Sequence, residues 1–329
     1  MNRVFLILLL AALLLPPPVS PKDGKPPSGT LLVDMQPLAL DSADPDRTSA
    51  GRLRYLAGWT LTSRQKDFGG ISSMALRGDG SLLALSDSGI LFGLPAGDIS
   101  TGRQFIAPLP IRPEEKQLPG WTWDSESMQF DPVSGRYWVG FELIQRICRY
   151  APGFARIESC RTWPEIQAWP DTGSIESMVR MPDGRFLAIS EMGYGKYGGH
   201  DVLLFDGDPT EAYTPSPQHL SYIPPQGYRP TDALWLGKDR LLVLNRRVTL
   251  YDGFTGIVTL VKLPTLKEGA VLRGQELARL APPLLADNYE AMTLSHEDGK
   301  TILWIASDDN HEFFQRSLLL KFALPDDLR

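Results

Sequence analysis

One pattern of polar and apolar positions returns five times along this chain. It begins at Ile71-Ser72-Ser73-Met74, Ser125-Glu126-Ser127-Met128, Ile175-Glu176-Ser177-Met178, Thr231-Asp232-Ala233-Leu234 and Tyr289-Glu290-Ala291-Met292. Each time a polar or acidic residue precedes a small one, then Met or Leu, then a short run alternating at period two. That period marks a strand whose two faces meet different surroundings. A tight turn follows, at 78–80, 132–135, 182–184, 237–239 or 297–299. Asp-Gly within three of these turns is a hairpin signal, because both residues tolerate positive φ. A second strand comes next, at 82–85, 137–140, 186–189, 241–244 and 302–306, and it is apolar nearly throughout. Continuous hydrophobicity suits a strand covered on both faces. Each second strand leads into a polar residue: Asp87, Glu142, Glu191, Asn245 or Asp308.

The motif stands at 72, 126, 176, 232 and 290, in steps of 54, 50, 56 and 58 residues. A repeat of about 50 residues fits a four-stranded propeller blade with generous loops. The expected fold is therefore all-β: a single β-propeller of five blades, each a four-stranded antiparallel sheet. The last repeat runs out of chain before its fourth strand, which residues 54–61 can supply, closing the ring between the two chain ends. A sixth blade drawing on residues 31–52 is the alternative count. An all-β sandwich would not explain a five-fold repeat. The domain reading is a signal peptide or N-terminal anchor over 1–20, a linker and extension over 21–50, and the propeller over 51–325.

In a propeller the first strand of each blade lines the central channel. The residue entering that strand and the residue leaving the second lie at the same end. Glu126, Glu176, Asp232 and Glu290 are thus expected to share one mouth with Asp87, Glu142, Glu191 and Asp308, while Ser72 and Asn245 fill the gaps. Crowded carboxylates repel one another unless a cation compensates. Oxygen ligands without clustered His or Cys suit a hard ion such as Ca²⁺. Arg146, Lys196, Arg229, Arg246 and Arg247 lie near the same end and could hold a phosphate or carboxylate. The plainer alternative is that an acid at a fixed blade position accepts backbone N–H groups and only holds the blades together.

The remaining features narrow the picture. A formal net charge of -6 and 22% charged residues argue against a nucleic-acid partner, which needs a basic face. Arg3 followed by the apolar run 4–15 reads as an export signal, too short to span a bilayer comfortably, and Pro16-Pro17-Pro18 ends it. A periplasmic or secreted monomer is expected, touching membrane only through that segment if it is retained. The two cysteines, Cys148 and Cys160, flank a hairpin turn and fall nearly opposite each other, so a disulfide is expected, with two buried thiols as the alternative. No Gly-x-Ser-x-Gly, Cys-x-x-Cys or His-Glu-x-x-His occurs. His200 and His311 follow mouth positions, whereas His296 sits at the opposite end. Trp121 and Trp123 are candidates either to stack on a substrate ring or to pack between blades. The glycine-rich loop 193–199 is placed to cover a ligand.

Phe68-Gly69-Gly70-Ile71-Ser72, Leu85-Ser86-Asp87-Ser88-Gly89, Asp124-Ser125-Glu126-Ser127-Met128, Ser174-Ile175-Glu176-Ser177-Met178 and Asp287-Asn288-Tyr289-Glu290-Ala291-Met292 resemble the bacterial phytase-like family, the "esterase-like activity of phytase" proteins. The resemblance runs from about residue 50 to 322. It implies an exported propeller and a link to phosphoester hydrolysis. In β-propeller phytases, calcium in an acidic channel binds phosphate and activates water. The acidic positions of this chain fit that scheme in outline, without a residue-by-residue match of ligands; for a Ca²⁺-dependent phosphoesterase the expected metal shell, drawn from the repeat's own acids, is Asp87, Glu126, Glu176, Glu191, Glu290 and Asp308. Glu126, Glu176 and Glu290 are the catalytic acids, and Arg246 positions the phosphate of a small phosphorylated substrate. A non-catalytic propeller binding a ligand or envelope partner, and a metal-dependent lactonase or other esterase, are the competing readings.

Overall fold

The computed structural model describes residues 28–96, 104–312 and 314–328, and of Trp121 only the backbone. The expected signal over 1–20 lies outside the described residues. Among the described residues no helix is long and apolar enough to cross a membrane.

The chain is built of antiparallel strands joined by hairpins. After β1 (Val33–Pro37), β2 (Ser49–Ala50) and β3 (Leu53–Ser63) come units of four strands. The first holds β4 (Ile71–Leu76), β5 (Leu82–Ser86), β6 (Ile90–Leu94) and β7 (Phe105–Pro108). The second holds β8 (Ser125–Phe130), β9 (Tyr137–Phe141), β10 (Arg146–Tyr150) and β11 (Ile157–Thr162). The third holds β12 (Ile175–Arg180), β13 (Phe186–Tyr194), β14 (His200–Phe205) and β15 (Gln218–Ile223). The fourth holds β16 (Arg229–Trp235), β17 (Arg240–Thr249), β18 (Gly253–Lys262) and β19 (Val271–Leu280). The fifth holds β20 (Tyr289–Glu297), β21 (Lys300–Ser307) and β22 (Leu318–Ala323), and β3 pairs antiparallel with β22 as its fourth strand. Residues 33–37 do not begin another unit: β1 adds to the outer side of β3. A parallel pairing of β15 with β19 welds the outer edges of the third and fourth units.

The five first strands pack around a common centre. β4 touches β8, β8 touches β12, β12 touches β16, β16 touches β20, and β20 returns to β4. This is a β-propeller arrangement, and it explains the apolar second strands. Each space between neighbouring units holds its own buried cluster. Leu85 and Leu91 meet Met128 and Val139, while Trp138 and Ile147 meet Met178 and Phe186. Val179 and Val202 meet Leu241 and Val243, and Leu242 and Leu244 meet Met292 and Ile305. Trp59 and Trp304 meet Met74 and Phe92. A second strand contributes to the clusters on both of its sides, so polar residues there would be buried without partners. Cys148 and Cys160 stand opposite each other on β10 and β11 and are joined by a disulfide.

Candidate acidic channel mouth

The first strand of every unit carries a β-bulge at its start. Pairing jumps from Ile71 to Ser73, Ser125 to Ser127, Ile175 to Ser177, Pro230 to Asp232 and Tyr289 to Ala291. The skipped residues are Ser72, Glu126, Glu176, Thr231 and Glu290. A bulge leaves one residue outside the ladder and re-aims its side chain, which is how glutamates come to enter this end of the channel. Just outside the bulge, the residue closing each second strand faces one preceding the first. Asp87 donates its N–H to the Gly70 carbonyl, Glu142 to Asp124 and Asp308 to Asn288. Arg229 and Arg246 pair at the same level in the fourth unit.

This register corrects two sequence assignments in the fourth unit. Asp232 is not the counterpart of Glu126, Glu176 and Glu290; Thr231 is. Thr231 Oγ1 donates to the Tyr289 carbonyl, as Ser72 Oγ donates to that of Ser125. Asp232 instead takes the place of Ser73, which accepts the Met128 N–H. Its Oδ2 accepts the Met292 N–H at 2.6 Å and its Oδ1 that of Ala233 at 2.7 Å. It is a buried inter-unit clamp; burial pushes its carboxyl up against the pull of those two bonds. Likewise Asn245 is not the mouth residue of its strand. It lies one position deeper, bonded to Tyr222 and to strand carbonyls. The residue in the position of Asp87, Glu142, Glu191 and Asp308 is Arg246.

The other expected acids do come together. Asp87, Glu126, Glu142, Glu176, Glu191, Glu290 and Asp308 act on one another electrostatically, and Asp124 joins them. The tightest group is Asp124, Glu126 and Glu142, whose carboxylate oxygens lie within 4.8 Å of one another. Of the six residues expected to hold metal, only Glu126 belongs to it. Asp124 was legible as part of Asp124-Ser125-Glu126, and its spacing of two places it across from Glu142.

Burial is the first cause of the raised carboxyl pKa values here, and like charge adds to it. Asp124 is pushed up to about 8, with Glu142 and Asp87 opposing its ionisation and a hydrogen bond from Glu126 easing it. Glu126 retains some channel exposure, yet its carboxyl is raised well above the usual range by burial and by Glu176, Asp124 and Glu142. Glu176 and Asp308 are raised in the same way. Glu142 is raised by burial, although it accepts the N–H groups of Gly173 and Ser174. Glu290 reaches only about 7, because Arg246 offsets part of its burial.

Arg246 is held from three sides. Its Nη2 donates to Glu191 Oε1 at 2.7 Å, and its Nη1 to Asn288 Oδ1 at 2.7 Å and to Glu290 Oε1. Burial works against its charge, but Glu290, Glu191 and Glu176 outweigh this and hold the guanidinium protonated more firmly than usual. Three other candidate cations are also engaged. Arg146 pairs with Glu115 and lies over Trp123, Lys196 pairs with Glu268, and Arg247 pairs with Asp252 and lies over Tyr228. Trp123 is buried against Phe141 between units; the Trp121 side chain lies outside the described residues. His200 is buried, with its Nδ1 3.2 Å from the Ser190 carbonyl oxygen. The 193–199 segment is a hairpin tied down by Tyr197 and Lys196 to Glu268. At the first unit, Gly70 has φ +62°, and a Cβ there would stand 2.6 Å from Asp87 Oδ1; only glycine lets that carboxylate approach.

No curated protein matches the sequence. Among solved structures, the PQQ-bound aldose sugar dehydrogenase of Streptomyces coelicolor is 11% identical, over 91% of this chain and 99% of that one, with a TM-score of 0.42. Hydrazine synthase of Kuenenia stuttgartiensis is 11% identical, over 77% and 71%, with a TM-score of 0.39. A putative oxidoreductase (glucose dehydrogenase) of Thermus thermophilus is 12% identical, over 77% and 97%, with a TM-score of 0.38. At such scores these likenesses carry no chemical inference. The family model "Phytase-like: Esterase-like activity of phytase" matches residues 66–311, which span every bulge and every mouth acid described above. The chain belongs to the phytase-like family.

Proposed function

We propose that this protein is a five-bladed, exported, monomeric hydrolase of small phosphate esters that works with a divalent cation, Ca²⁺ by preference, at the acidic mouth. The observation that carries this reading is the Asp124–Glu126–Glu142 group: three carboxylates whose oxygens converge within 4.8 Å. The donor set fits a hard cation, being all oxygen, and its carboxyls are driven toward protonation by burial first and by neighbouring like charge second. Asp124, Glu126 and Glu142 would hold the ion. When bound, it supplies Lewis acidity toward a phosphoryl oxygen and toward water.

The chain's own residues divide the remaining work. Glu290, near 7, can hold or release a proton at neutral pH, as a general acid or base must. Arg246 fixes Glu191 and Glu290 in place as their counter-ion. With its donors so engaged, its role is to position these acids, not to take the phosphate. Glu176, between Glu142 and Glu191, is the second proton-exchanging carboxyl.

The test is turnover of p-nitrophenyl phosphate and phytate by metal-stripped protein with and without added Ca²⁺, while the melting temperature is followed. Turnover that appears with Ca²⁺, together with a higher melting temperature, supports the reading. Stabilisation without turnover turns the site into a structural or ligand-binding one. Turnover of neutral esters or lactones alone moves the activity to a carboxylic ester.

A further inference from the structure

A phosphate ester entering an acidic bowl needs a cation to receive it, and nearly every candidate at this end is engaged. Arg246 lies among Glu191, Asn288 and Glu290, Arg146 against Glu115, Arg247 against Asp252 and Lys196 against Glu268. Arg229 is different. It opens β16 with an exposed side chain, and among the described residues it forms no ion pair with a carboxylate.

Its place in the register fixes where it points. Residues directly opposite on antiparallel strands project from the same face of the sheet. Arg229 is opposite Arg246, whose guanidinium is inside the carboxylate cluster. In the second unit the same two levels are held by Asp124 and Glu142, both members of the converging trio. Arg229 therefore stands at the rim level of the mouth, in the position where the second unit carries Asp124. Its backbone is anchored on both sides. Tyr228 is buried, with its hydroxyl bonded to Thr255 at 3.0 Å and receiving Arg279 Nη1 at 2.9 Å, and Pro230 is buried opposite Asn245 in the next ladder pair.

We propose that Arg229 receives the phosphate group of the substrate and makes the mouth selective for anionic phosphate esters over neutral esters. The inference rests on the hydrolase reading for its substrate and on the register for its location. A guanidinium can give two parallel N–H groups to phosphate oxygens, a fork that lysine's point charge lacks.

The experiment compares wild type, Arg229→Ala and Arg229→Lys, all loaded with Ca²⁺. KM and kcat are read for p-nitrophenyl phosphate and for p-nitrophenyl acetate, and the affinity for inorganic phosphate is read by calorimetry. Losing a charge-assisted contact of this kind is expected to raise KM for the phosphate ester by roughly tenfold to a hundredfold. The phosphate-to-acetate turnover ratio should fall with it, Arg229→Lys should recover part of the loss, and inorganic phosphate should bind more weakly by a similar factor. Unchanged KM and unchanged phosphate affinity in Arg229→Ala would overturn the assignment. If wild type turns over neither ester, the hydrolase reading fails and calorimetry decides alone. Phosphate binding that Arg229→Ala loses keeps Arg229 as an anion site; wild type that binds no phosphate removes it. The side chain is exposed, so a melting temperature close to wild type is expected and separates a binding loss from misfolding.

Discussion

The second and fourth units build the same three mouth positions and fill them differently, with three carboxylates in one and two guanidiniums and a hydroxyl in the other. In the second they are Asp124, Glu126 and Glu142; in the fourth they are Arg229, Thr231 and Arg246. The bulge, the facing strand end and the packing beneath them match. Only the side chains differ, and with them the electrostatics: three carboxyls forced toward protonation against one guanidinium locked into its charge. A repeated backbone thus supplies geometry, while a few residues decide which sector takes a cation and which carries its own. It also makes a symmetric ring of metal ligands impossible here.

The largest effect should come from disarming the second unit. Asp124→Asn or Glu126→Gln is expected to lower Ca²⁺-dependent turnover about a hundredfold or more. Either change should also abolish the rise in melting temperature on adding Ca²⁺, read by steady-state kinetics and calorimetric melting. Normal Ca²⁺ stabilisation in both would show that the ion sits elsewhere.

Disarming the fourth unit should act on the fold instead. Arg246→Met leaves buried Glu191 and Glu290 without their counter-ion, and breaking such a pair costs about 3–5 kcal/mol. Denaturant unfolding at pH 7 would show this, and at pH 5, below the value of about 7 to which Glu290 is raised, the loss should shrink because that acid takes up a proton. An equal loss at both values would deny Arg246 its counter-ion role.

Asp232→Asn provides the control between them. It weakens a clamp that accepts two backbone N–H groups, at about 1–3 kcal/mol, and should leave the Ca²⁺-induced shift as in wild type. A lost shift would return Asp232 to the cation site.

The smallest effect is a slope. Unfolded Asp and Glu titrate near about 4, whereas Asp124 and Glu290 in the fold reach about 8 and about 7. Between those limits the native state binds more protons than the unfolded chain, so their contribution to stability is full below about pH 4 and fades as pH rises toward 8. Metal-stripped protein should melt lower at pH 8 than at pH 5. Added Ca²⁺, binding the ionised carboxylates, should flatten or reverse the trend.

The all-β architecture was legible because a propeller repeats its apolar pattern, and each space between neighbouring units requires a matching set of buried strands. Closure by the strand expected over 54–61, observed over 53–63, and the Cys148–Cys160 bridge followed from where strands were lacking or facing. The mouth was harder. Glu126, Glu176 and Glu290 sit at bulges, and a bulge changes register by one residue without changing composition. In the fourth unit that shift made Asp232 and Asn245 look like mouth residues when Thr231 and Arg246 hold those places. Asp124 belonged to the motif, but only pairing with Glu142 made it a ligand candidate. The separation of engaged cations from Arg229 depended on partners such as Glu115, Asp252 and Glu268, none of which the repeat itself marks out.

The pairing of β3 with β22 also sets an order of events. Thr60 and Leu318 are partners, so the fifth unit stays unclosed until synthesis has passed residue 318. Such a distant contact forms late, since its loop entropy is met before any neighbouring pair rewards it. Until then β3 presents an open edge on that side, the kind of edge that recruits other chains. A chain released before residue 318 should lack both β22 and any partner for β3 on that side. The finished ring is therefore its own check on completeness, because only a chain that reaches β22 can hide its last edge.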